Sequence, residues 1–92
     1  MTDAEMLTML KIDLQISSTA LDTMLSALIT QTQAAIAREG ITLTNSVEDS
    51  MLVVQYAAYV YRQRRDNTGM PRFLRWMLNN RLISEKGAAS DG

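Results

Sequence analysis

The segment from Val47 to Tyr61 constrains this chain more than any other. At 100° per residue, Glu48, Gln55 and Arg62 fall in one narrow polar stripe because they are seven apart. Nearly everything else in its first four turns is apolar or aromatic: Val47, Met51, Leu52, Val53, Val54, Tyr56, Ala57, Ala58, Tyr59, Val60 and Tyr61. A helix that is apolar all round is buried all round. Either the rest of the chain wraps this helix unusually well, or another subunit covers one side. A 92-residue chain buries only about 60–65% of its unfolded surface, which favours the covering subunit.

The remaining segments also read as helices. Punctuation is sparse, with one Pro and four Gly. Asp3 is positioned to cap a first helix over about 4–14, with Met6, Met9, Leu10 and Leu14 on one side. Thr19-x-x-Asp22 has capping-box spacing and opens a second helix that runs to about Glu39. There Leu21, Met24, Leu25, Leu28, Ile29, Thr32, Ala35 and Ile36 follow the i, i+3, i+4, i+7 rule, and Gly40 is the stop. Residues 41–44 alternate but are too few for a sheet, so they read as an extended linker. Ser46-x-x-Asp49 is a second capping box, for the third helix over 47–65. Asp66-Asn67-Thr68-Gly69 is a turn cluster, and Pro71 suits the first turn of a fourth helix over 71–83. The expected architecture is all-α: one domain over residues 1–86, about four helices with a long central third, and a disordered tail over 87–92.

Cysteine and histidine are absent. That excludes disulfides, thiolate or imidazole metal sites, and any Ser-His-Asp triad. The acids are scattered and there is no glycine-rich phosphate loop, so no catalytic residue, metal or cofactor is expected. No apolar run reaches the 18 or so residues of a membrane span, and Met-Thr-Asp-Ala-Glu lacks the basic start of a signal peptide. The expectation is a cytosolic chain or part of an intracellular assembly. The net charge of −1 conceals an asymmetry. Residues 1–61 carry Lys11 and Arg38 against Asp3, Glu5, Asp13, Asp22, Glu39, Glu48 and Asp49, a net −5. Residues 62–86 carry Arg62, Arg64, Arg65, Arg72, Arg75, Arg81 and Lys86 against Asp66 and Glu85, a net +5.

Three surfaces follow from the helical wheels. The second helix opposes its core stripe with Thr19, Thr23, Ser26, Ala27, Thr30, Gln33, Ala34 and Ala37, which are small and uncharged. With Val53, Tyr56 and Val60 of the third helix, Ala27, Thr30 and Ala34 make the candidate subunit interface. The alternative is a merely exposed Ala/Thr-rich face. In the fourth helix Met70, Phe73, Leu74, Met77 and Leu78 form the core stripe. Trp76 and Ile83 lie roughly opposite, flanked by Arg72, Asn79 and Asn80, in the composition of an interface hot spot. The alternative is a Trp76 folded onto a neighbouring helix. Arg81 falls inside the apolar stripe and needs an acid such as Asp13, Asp22 or Glu39. Arg62, Arg64, Arg65 and Arg75 form a basic cluster for a subunit, a partner or DNA. Its plain role is to complement the end of the third helix. A small helical DNA-binding protein is the second functional reading, opposed by a pI near 5.2.

Two stretches carry a family likeness. One is Leu10-Lys-Ile-Asp-Leu-Gln-Ile with Asp22, Leu25, Leu28-Ile29 and Ile36-Ala-Arg-Glu-Gly-Ile41. The other is Gln55-Tyr-Ala-Ala-Tyr-Val-Tyr-Arg-Gln-Arg-Arg65, then Gly69-Met-Pro-Arg-Phe-Leu-Arg-Trp-Met-Leu-Asn-Asn-Arg-Leu82. Over roughly residues 6–86 the chain resembles the small head-tail connector (adaptor) proteins of tailed bacteriophages and prophages. The resemblance implies a structural, non-catalytic role in the virion neck, reached from the host cytoplasm during assembly. Copies would form a ring on the portal protein, extend the DNA channel and receive the next connector or stopper protein, with at most non-specific contact to packaged DNA. Some family members have a longer C-terminal helix or arm that engages the portal.

Overall fold

A computed structural model describes residues 1–66 and 69–90. The described residues form four helices and no strand: α1 (Asp3–Leu14), α2 (Asp22–Arg38), α3 (Val47–Asp66) and α4 (Arg72–Ser90). Asn67 and Thr68 of the expected turn cluster lie outside the described residues. No helix among them is long and apolar enough to cross a membrane.

α3 is the axis of the fold. Leu52, Val53, Val54, Ala57 and Ala58 are buried, and the two alanines allow neighbouring helices to approach closely. α1 contributes Met6 and Leu10, and α2 contributes Leu25, Leu28, Ile29 and Ile36. Leu74 and Leu78 of α4 close the remaining side, and Ile41 of the linker is also buried. One chain therefore encloses most of its central helix: none of the residues from Ser50 to Tyr61 is exposed, while Val47 at its start is 67% exposed. The covering subunit favoured from the periodicity is not needed for this purpose. The Met1 amino group donates to the Asn45 carbonyl at 3.0 Å and Asp13 pairs with Arg62 at 3.0 Å, so the starts of α1 and α3 lie together and so do their ends.

The helix termini depart from the expected caps. α1 is capped by Thr2, not Asp3: the Thr2 hydroxyl accepts from the Glu5 N–H at 3.1 Å and Glu5 accepts from the Thr2 N–H at 2.8 Å. That is a complete capping box. The box expected at Thr19 does not form. Leu21 holds the N-cap position without a side-chain bond, because the Asp22 carboxylate is taken by Lys11 of α1 at 2.7 Å. α2 ends as expected, with Gly40 at φ 102. At α3 half of the box forms: the Ser46 hydroxyl accepts from the Asp49 N–H at 3.1 Å, while the Asp49 carboxylate turns elsewhere.

α4 does not stop near residue 83 but continues to Ser90, so residues 87–90, expected in the tail, are helical. Glu85 accepts from Arg81 one turn earlier at 3.0 Å, an i, i+4 pair that favours helix beyond residue 83. Asp91 and Gly92 lie outside the described residues.

Candidate partner-binding surfaces

The outer face of α4 gathers three of the large apolar residues that are exposed among the described residues. Phe73, Trp76 and Ile83 are 65%, 61% and 68% exposed. Trp76 does not fold onto a neighbouring helix. Arg72, Asn79 and Asn80 are exposed as well, so all five residues expected around this patch share one face. Phe73 is a correction: expected in the core stripe, it stands outside and stacks on Trp76, with ring centroids 6.1 Å apart and planes inclined by 20°. α4 packs chiefly on α3, so its buried strip is narrow and Leu74 and Leu78 fill it. Beside the aromatic pair is a cleft of about 230 Å³ between α3 and α4, lined by Glu48, Leu52, Phe73, Trp76, Met77 and Asn80, with Asp49 and Arg81. Sequence reasoning placed Asn80 beside Trp76 but missed the outward turn of Phe73 and the cleft itself, since a wheel of one helix does not show what faces it.

The expected α2–α3 interface is only partly at the surface. Ala27, Thr30 and Ala34 are exposed, and Tyr56 and Val60 are half-buried. Val53 is 2% exposed and belongs to the core, because it faces the helices that wrap α3. Tyr56 and Val60 line a groove of about 180 Å³ with Leu28, Ala35, Arg38 and Arg64. On the α2 wheel Ala27, Ala34 and Arg38 fall on adjoining positions, so the small-residue face continues into this groove. Burial, and then the nearby Glu39 carboxylate, push the Tyr56 phenol above its ordinary pKa.

The basic cluster divides. Arg62 is committed to Asp13, donating to its carbonyl oxygen at 3.0 Å and pairing with its carboxylate. Arg75 stands 4.0 Å from Glu39. Arg64 and Arg65 are exposed, and no ion pair to a described residue holds them. Charge is polarised along the bundle. Glu5 and Asn45 share one depression, so the starts of α1 and α3, with exposed Asp3, Glu5 and Glu48, form an acidic end. The opposite end carries Arg64 and Arg65.

Arg81 has none of the three acids considered for it. Asp13 and Asp22 are engaged by Arg62 and Lys11. Instead Arg81 Nε donates to Asp49 Oδ1 at 2.8 Å, Nη1 to Glu85 Oε2 at 3.0 Å and Nη2 to the Thr42 carbonyl at 2.7 Å. Asp49 also accepts from the Thr44 N–H at 2.8 Å and the Thr44 hydroxyl at 2.9 Å. The side chains of Asp49 and Arg81 are 3% and 14% exposed. Burial alone would raise the Asp49 pKa, but the bonds from Arg81 and Thr44 outweigh it and hold the carboxyl below its usual range. The bond to Asp49 foremost, then that to Glu85, raises the Arg81 pKa against its own burial. This network ties the 41–44 linker to α3 and α4 and forms the base of the cleft. No family model, curated protein or solved structure matches the chain.

Proposed function

We propose that this chain is a structural assembly protein, a head-tail connector (adaptor) of a tailed phage or prophage. In this reading it acts as a ring of identical copies that docks on the portal protein, continues the DNA channel and receives the next connector or stopper protein. Its place is the virion neck, reached from the host cytoplasm during assembly. It needs no cofactor, catalysis or membrane. The observation that carries the reading is the surplus of exposed apolar surface. The core closes without Phe73, Trp76 or Ile83, and large exposed apolar patches mark interaction sites. Opposite charge at the two ends of one subunit suits a heterologous contact repeated around a closed ring. The resemblance over residues 6–86 supplies the specific assembly.

Copies meet through Ala27, Thr30 and Ala34 with Tyr56 and Val60, and the portal or next component meets Arg72, Trp76, Asn79 and Ile83. Electron microscopy of the protein mixed with its portal tests the assembly directly. Thr30→Arg or Ala34→Arg abolishes ring formation and leaves the helical circular-dichroism signal intact, since both residues are exposed in the single subunit. Normal rings from both variants refute this interface. The second reading, a helical DNA-binding protein, draws on exposed Arg64 and Arg65. A channel must let DNA slide, so contact within a ring is weak and independent of sequence. Tight sequence-specific binding by the monomer would replace the connector reading.

A further inference from the structure

The α4 face has a register as well as a composition. Phe73, Trp76, Asn80 and Ile83 are spaced three, four and three apart, the a–d–a–d pattern of two heptads. All four are exposed. The buried residues of α4, Leu74 and Leu78, lie on the opposite side. α4 therefore uses one side for its own fold and presents a second, helix-spaced seam outward. The polar residue in that seam, Asn80, stands at an a position, where a single Asn fixes the register of a paired helix.

The flanks of the seam define the partner. On the α4 wheel Arg72, Arg75 and Lys86 all fall along one edge; Glu39 stands 4.0 Å from Arg75 and Glu48 lines the α3 side of the cleft, which leaves the cations in excess, and Glu85 is turned inward to Arg81. Pairing two α4 helices antiparallel would place Arg72 of one beside Lys86 of the other, a like-charge contact. Among the described residues no other helix offers a matching apolar seam: α1 exposes one large apolar residue, Ile12, α2 one, Met24, and α3 one, Val47. The cleft adds a concave element: Leu52 and Met77 line it beside the stacked Phe73 and Trp76, and its volume of about 230 Å³ admits a large side chain. A flat lipid surface does not require such a depression.

We infer that the α4 seam and the α3–α4 cleft bind an amphipathic helix of another protein, with an acidic edge facing Arg72, Arg75 and Lys86 and one bulky apolar residue seated in the cleft. This deepens the proposed function and rests on its assignment of the α4 patch as a partner face.

The test uses the full chain and two helical peptides spanning two heptads, both with Leu at every a and d position. One carries Glu along its edge and the other Lys. Trp76 is the only tryptophan of the chain, so its emission reports docking without a label. The Glu-edged peptide shifts the emission to the blue in a saturable manner and binds at least about tenfold tighter than the Lys-edged one. Phe73→Ala weakens binding by about tenfold or more. Arg72→Glu/Arg75→Glu inverts the preference between the peptides, a result that loss of folding cannot mimic. Equal response to both peptides, response to neither, or a blue shift produced only by phosphatidylserine-containing vesicles or by random-sequence DNA overturns the inference. Ring formation through Ala34, read by sedimentation of Ala34→Arg, stands or falls separately.

Discussion

Replacing Arg81 by Met removes a cation and leaves Asp49, whose side chain is 3% exposed, without its guanidinium partner. Breaking a buried ion pair by deleting one member costs roughly 3–5 kcal/mol, because an uncompensated charge remains. Asp49 keeps the N–H and hydroxyl of Thr44 and sits in the first turn of α3, where the helix terminus favours an anion. The lower limit, about 3 kcal/mol, is therefore the expected loss. A domain of this size has roughly 5–14 kcal/mol in total, and the loss lowers Tm by roughly 12–24 °C. Urea denaturation followed by circular dichroism at neutral pH measures it. Arg81→Met/Asp49→Asn, which removes the stranded charge, restores at least half. The pH dependence has a definite sign. The folded-state pKa of Asp49 is depressed, so its contribution is present above the unfolded value of about 3.9 and disappears as pH falls through the folded value. The gap between wild type and Arg81→Met therefore narrows below about pH 4. A loss under about 1 kcal/mol, or a gap indifferent to pH, would show that the network adds no more than an exposed pair.

Trp76 emission from the dilute protein is red-shifted and readily quenched by acrylamide, given 61% exposure; blue-shifted, protected emission from a demonstrated monomer contradicts this placement. On the proposed connector reading, Arg64→Ala/Arg65→Ala loses assembly onto a portal while leaving binding of random-sequence DNA at low salt unchanged; the opposite pattern assigns the pair to DNA. Gly40→Ala costs about 1 kcal/mol or more in urea denaturation. The new methyl would lie 3.6 Å from Leu82 Cδ1, an ordinary contact, so the cost comes from φ 102; an unchanged midpoint would mean that the turn relaxes.

How much of this was legible in the sequence depended on how local the deciding interaction was. The four helices follow from sparse Gly and Pro and a 3.6-residue apolar period, which are local properties. Their partners are not. Asp49 and Arg81 are 32 residues apart, and Asp49 already had a sufficient local role as the acid of a capping box with Ser46. The linker's Thr44 takes one oxygen of its carboxylate, and the packing of α4 against α3 brings Arg81 to the other. Thr19-x-x-Asp22 fails as a cap for the same reason, since Lys11 lies on another helix. Val53 shows a different limit. On a helix apolar around most of its circumference, periodicity has no contrast from which to choose the buried side, so Val53 could not be distinguished from Tyr56 or Val60. Phe73 is the converse case, an apolar residue at the border of the α4 stripe that the single packing partner of α4 is too narrow to cover. These two errors bear on function in opposite directions. Moving Val53 inward weakens the case that α3 needs a second subunit. Moving Phe73 outward strengthens the case that α4 needs a partner, because stacked Phe73 and Trp76 expose more apolar surface than Trp76 alone. The centre of the proposed recognition therefore shifts from the α2–α3 face towards α4, where the exposed apolar residues, the cleft and the cations coincide.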